Sequence, residues 1–111
     1  MITTHVLDTS RGGAAVGVAV ALELREGLQW TMIGGGTTDA NGRATTLMQG
    51  HPLVPGEYRL TFDTAAYHRA QGIADPFFCH VVITFSVDDG AGQYHVPLLL
   101  SPFGYSTYRG T

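Results

Sequence analysis

The chain contains no lysine, and its six cations are all arginines, set against nine carboxylates for a net charge of −3. No basic cluster occurs, which removes the electrostatic footprint that nucleic-acid binding depends on. Charged residues make up only 14% of the 111. A surface with so few charges leaves apolar or weakly polar area exposed unless subunit contacts cover it, so an oligomer is expected. Cys79 is the one cysteine, so no intrachain disulfide is available and an oxidising compartment is not needed to explain the fold. The chain opens Met1-Ile2-Thr3-Thr4-His5, with neither a positive leader region nor an apolar one. No apolar run approaches the roughly 20 residues of a membrane span. A cytoplasmic protein without a membrane partner is the expectation.

What is present is glycine and β-branched sequence in short stretches. Fifteen glycines and 44% hydrophobic residues suit a folded chain of short strands and frequent turns. One domain over residues 1–111 is expected, since no stretch resembles a linker. Val16 to Glu26 alternates with Val18, Val20, Leu22 and Leu24 on one side and Glu23 and Arg25 on the other. Gln29 to Thr37 forms a second strand whose Gly34-Gly35-Gly36 marks a bulge or a close backbone approach. Asp39-Ala40-Asn41-Gly42 is a tight turn that places Arg43 at a strand start. Glu57 to Asp63 alternates Tyr58, Leu60 and Phe62 against polar partners, as a half-buried strand does.

Ala65 to Ile73 is the single helical stretch, with Thr64 as its N-cap and Gly72 as its stop. Phe77 to Val87 and Tyr94 to Leu100 read as strands joined through Asp88-Asp89-Gly90-Ala91-Gly92, and Gly104 to Gly110 as a last strand. Seven or eight short strands and one short helix predict an all-β sandwich of two antiparallel sheets. Pro97 cannot donate to a ladder, so Tyr94 to Leu100 is expected at a sheet edge with His95 and Pro97 on one side.

No G-x-S-x-G elbow, P-loop, H-E-x-x-H or paired-cysteine knuckle occurs. Cys79, among phenylalanine and valine, reads as a buried strand thiol, with His80 on the opposite face of the same strand. His51 and His68 read as solvated. His5 and His95 lie in strands, where a hydrogen-bonded structural histidine is the ordinary role, as a surface ion pair is for Arg43. A metal held by His5 and His95 would lack any diagnostic spacing. The tail from Ser101 carries two tyrosines, an arginine and several hydroxyls after an apolar lead-in, which is unlike a disordered end.

Thr4-His5-Val6-Leu7-Asp8-Thr9, Gly42-Arg43 and the closing Tyr94 to Thr111 segment resemble the 5-hydroxyisourate hydrolases of the transthyretin-related family, over essentially the whole chain. Tyr108-Arg109-Gly110 is the part that separates those hydrolases from the hormone-carrying transthyretins. The family pattern ends in serine where this chain has Thr111, which keeps the hydroxyl and adds a methyl. The resemblance implies a transthyretin-like sandwich assembled as a homotetramer, a dimer of dimers, with active sites where subunits meet. It implies hydrolysis of 5-hydroxyisourate to 2-oxo-4-hydroxy-4-carboxy-5-ureidoimidazoline in urate degradation. The catalytic set it implies is His5, Arg43 and His95, with Tyr108 and Thr111 placing substrate or water and no metal or organic cofactor. Chemically, one histidine would activate water and Arg43 would stabilise the oxyanion, without the residues saying which histidine is the base. A non-catalytic small-ligand carrier is the competing expectation.

Overall fold

Alternating side chains produce the architecture directly, because a strand with one apolar face has to bury it against another. The computed structural model describes all 111 residues. Its strands are β1 (Ile2–Asp8), β2 (Gly13–Ala14), β3 (Ala19–Glu26), β4 (Gln29–Thr37), β5 (Arg43–Ala44), β6 (Gly56–Phe62), β7 (Val81–Val87), β8 (Tyr94–Ser101) and β9 (Gly104–Thr107), with helix α1 (Thr64–Ala70) between β6 and β7. One sheet has the order β2-β1-β8-β9, with β5 also paired to β1, and the other has the order β4-β3-β6-β7. Ile2, Val6, Val96 and Leu98 from the first sheet meet Leu22, Leu60, Phe62 and Val81 from the second in one apolar cluster. No helix is long and apolar enough to cross a membrane.

The expected sandwich is present, with one parallel pairing in it, between β1 and β8. That pairing corrects the edge placement of the Tyr94 strand, since β8 runs between β1 and β9. Pro97 marks a gap in the ladder instead. β9 pairs with Leu98 to Ser101, pairing lapses beside Pro97, and a single bridge resumes between His95 and Gly110. The missing proline N–H therefore falls where the partner strand has peeled away.

Other local expectations shift for physical reasons. Cys79 is exposed and lies outside any strand, as does His80, because β7 begins only at Val81. Val81 pairs with Phe62, the last residue of β6, and beyond it the neighbouring chain has turned into α1, leaving Phe77 to His80 no ladder to join. The N-cap of α1 is Asp63, whose carboxylate accepts from the Ala66 amide at 3.2 Å; Thr64 lies inside the helix with its buried hydroxyl unpartnered. His68 is buried, at 3% exposure, rather than solvated. Its four-residue spacing from Thr64 puts it on the helix stripe that faces the sandwich. In β4 the register slips by one residue at Ile33, and the Leu47 carbonyl leaves no room for a side chain on Gly34.

Candidate active site

β1 and β8 divide their side chains between two worlds. Ile2, Thr4, Val6 and Asp8 of β1, with Tyr94, Val96, Leu98 and Leu100 of β8, point inward and are buried. The alternate residues, Thr3, His5, His95 and Leu99, face outward and keep part of their surface. In the parallel register Thr3 lies beside His95 and His5 beside Pro97, while β5 brings Arg43 beside His5 from the other edge. Paired residues share a face, so His5, Arg43 and His95 project from the same outer surface. His5 and His95 form a diagonal pair, a relation that separates Cβ atoms by roughly 7–8 Å in an ordinary sheet and leaves space for a water or a flat ring.

The turn before β5 holds two of the three residues. Asp39 accepts from the amides of Asn41 and Arg43 at 2.9 and 3.0 Å, and these bonds, with smaller help from the charges of Arg43 and His5, hold its carboxyl below the usual range. Gly42 takes φ +76°, and a side chain there would collide with the Val6 carbonyl. Thus only glycine lets the turn lie against β1. The Asn41 carbonyl then accepts from His5 Nε2 at 2.8 Å. A carbonyl can only accept, so neutral His5 carries its proton on Nε2 and leaves Nδ1 free. Arg43 is exposed and makes no ion pair, which sets aside its expected surface-bridge role.

His95 is half-buried, with Nδ1 at 2.8 Å from the Thr3 hydroxyl. Burial, then the positive charge of Arg43, then His5 lower its pKa from 6.5, against a smaller raising effect from a hydrogen bond to the Thr3 main chain. Burial and the neighbouring cation thus favour the neutral imidazole, the form able to accept a proton. No group of three histidine, cysteine, aspartate or glutamate side chains gathers closely enough to hold a metal, so His5 and His95 fall short of a catalytic zinc donor set.

The tail is ordered by specific contacts. The Thr107 hydroxyl donates to the Pro97 carbonyl at 2.7 Å, Arg109 lies 4.7 Å over the Tyr94 ring, and the Gly110 amide donates to the His95 carbonyl at 2.8 Å. Thr111 follows directly and is exposed. Tyr108 is placed elsewhere within the single chain. It lines a cleft of about 140 Å³ with Ile83, Phe85, Tyr94 and Val96, on the inward side of β8 rather than beside His95. Thr3 and Asn41 join the site only in the folded chain. Thr3 was available from its two-residue offset to His5, whereas no sequence signal marks a main-chain carbonyl such as that of Asn41.

Residues 2–110 match the sequence profile of the HIUase/Transthyretin family. The chain belongs to this family. Its relatives include a 5-hydroxyisourate hydrolase from Caulobacter vibrioides, 44% identical over 113 residues that span 99% of this chain and 97% of the relative. Among solved structures, Klebsiella pneumoniae 5-hydroxyisourate hydrolase superposes with a TM-score of 0.84 at 35% identity, covering 99% of this chain and 98% of that one. Sea bream transthyretin in complex with thyroxine gives 0.90 at 34% identity, covering 99% and 94%. Both enzyme and carrier therefore share this HIUase/Transthyretin backbone, and the distinction rests on side chains.

Proposed function

We propose that this chain is a 5-hydroxyisourate hydrolase that opens one ring amide with water, yielding 2-oxo-4-hydroxy-4-carboxy-5-ureidoimidazoline in urate degradation. The observation that carries the reading is the outward cluster of His5, Arg43 and His95, with an unpaired guanidinium beside two imidazoles. Sequence kinship with hydrolases supports it, at 44% identity for the Caulobacter protein and 40% for the Salmonella dublin one.

The chemistry follows from these groups. A neutral imidazole takes a proton from water as the oxygen adds to the electron-poor carbonyl, and the fixed charge of Arg43 stabilises the oxyanion that forms. The resulting imidazolium returns a proton to the departing ring nitrogen as the C–N bond breaks. The exposed hydroxyl of Thr111, next to Gly110, positions water or substrate. Tyr108 reaches the pocket across a subunit boundary, since it faces the inner cleft within its own chain.

The outer face bearing the cluster also carries Leu7 and Leu99, both only half-buried, so a facing subunit would enclose the reaction and exclude water. A homotetramer of single-domain chains, built as a dimer of dimers, supplies that cover. The unpaired Cys79 thiol suits a cytoplasmic setting. The carrier reading is disfavoured, because an apolar-ligand channel gains nothing from desolvating an arginine and two histidines.

The decisive assay generates 5-hydroxyisourate with urate oxidase and follows its absorbance with and without this protein. Accelerated decay is expected, and a decay rate unchanged by micromolar protein would remove the hydrolase reading.

A further inference from the structure

Gly110 lies close against the His95 ring. A Cβ built on it would lie 2.6 Å from His95 Cδ2, 3.3 Å from Cγ and 3.4 Å from the histidine Cβ, so the glycine backbone lies against the Cδ2 edge of the imidazole with no room for a side chain between them. The backbone conformation gives no other reason for glycine here, since Gly110 is not among the residues with positive φ. Nor is this stretch of tail free to back away. It is pinned by the Gly110 amide on the His95 carbonyl at 2.8 Å, by Thr107 on the Pro97 carbonyl at 2.7 Å and by Arg109 over Tyr94. A methyl group at position 110 would therefore displace the ring rather than the tail.

Thr3 holds the same ring at its other end. Its hydroxyl is 2.8 Å from Nδ1. A threonine hydroxyl that accepts from Nδ1–H leaves Nε2 of the neutral ring unprotonated.

We propose that Gly110 and Thr3 are positioning residues that together lock the His95 imidazole, Gly110 by close contact at its Cδ2 edge and Thr3 by accepting from Nδ1–H through its hydroxyl, so that Nε2 is presented unprotonated to the substrate. The proposal rests on the hydrolase reading for its catalytic meaning, but the ring geometry stands by itself. It also gives the glycine of the closing tetrapeptide a steric task distinct from the hydroxyl of Thr111.

The test combines kinetics with histidine NMR on the full-length protein, comparing Gly110→Ala, Thr3→Val and Thr3→Ser with wild type. Long-range ¹H–¹⁵N correlation, with the His95 signal assigned by its loss in His95→Asn, reports which nitrogen carries the proton. The wild type is expected to show Nδ1–H. Gly110→Ala and Thr3→Val are expected to lose that single tautomer and about a hundredfold in kcat, with KM little changed, the scale of loss when a reacting group is misplaced by an ångström. Thr3→Ser keeps the hydroxyl and is expected to retain both.

An Nε2–H tautomer in the wild type would overturn the proposal, as would an unaltered His95 signal in both Gly110→Ala and Thr3→Val. Should Gly110→Ala fail to fold, the Thr3 pair decides alone. A wild type that leaves 5-hydroxyisourate decay unaccelerated defeats the hydrolase reading and leaves the NMR comparison to judge the ring lock.

Discussion

The two faces of the β1–β8 pair take alternate positions along the same two strands, yet they serve opposite ends. Inward, Ile2, Val6, Val96 and Leu98 lie in the apolar cluster between the sheets, where each side chain is judged by volume and fit. Outward, Thr3, His5 and His95 keep polar atoms at the surface, where each is judged by which nitrogen is free and what charge stands next to it. Polar residues on the inner side behave differently from those on the outer side. Asp8 is buried and its carboxylate accepts from Ser10 and from the Tyr67 hydroxyl at 2.7 Å, which ties α1 to the first sheet. Burial would raise its pKa, but these hydrogen bonds outweigh it and hold the carboxyl below its usual value. A satisfied carboxylate is structural, whereas a histidine with one nitrogen left over is chemical.

Breaking the outer face should abolish activity while sparing the fold. His95→Asn or His5→Asn is expected to lower kcat by about 10²–10⁴-fold, the usual share of general acid–base catalysis, with a thermal midpoint near that of wild type. A large fall in the midpoint would mean the outward histidines are structural and the contrast between faces is false. Breaking the inner face should do the reverse. Leu98→Ala, at a side chain with no exposed surface, is expected to cost about 2–5 kcal/mol in urea denaturation while the remaining folded protein keeps its kcat.

A smaller effect probes the polar member of the inner face. Tyr67→Phe removes one donor from Asp8 and is expected to cost about 1–3 kcal/mol of stability, with catalysis unchanged. The smallest and sharpest test is a pH profile. Because burial and Arg43 both lower the His95 pKa, the acid limb of kcat/KM is expected below 6.5, and Arg43→Gln should move that limb upward by removing a repelling charge. A limb that stays in place in Arg43→Gln would separate Arg43 from the His95 titration.

Much of this contrast is legible in the chain because a strand repeats every two residues. The spacing of Tyr58, Leu60 and Phe62, or of His95 and Pro97, already states which residues share a side. The Asn41-Gly42 turn and the placement of Arg43 at a strand start are equally local, resting on the positive φ that Gly42 adopts. Cys79 and His68 depart from the sequence expectation for a common reason. Their exposure depends on what lies opposite them: no strand for Cys79, and a whole sheet for the helix stripe that contains His68. Pro97 was informative about interrupted pairing, but whether the interruption lies at a sheet edge or beside a departing partner depends on strand order, which periodicity does not encode.

The sequence alone determined a mostly β sandwich, its turns, the inward and outward faces of its strands and, through residues at Thr4 to Thr9, Gly42-Arg43 and the closing segment, its family. These are consequences of short-range sterics, alternation and motifs carried within a few residues. Tertiary structure decided that β1 and β8 run parallel with Thr3 beside His95, that Asn41 lends its carbonyl to His5, and that Gly110 lies against the edge of the His95 ring. Each joins positions from 36 to 92 residues apart or meets across a gap in a ladder. Such contacts arise only when two sheets bury a common core and bring distant backbone into register.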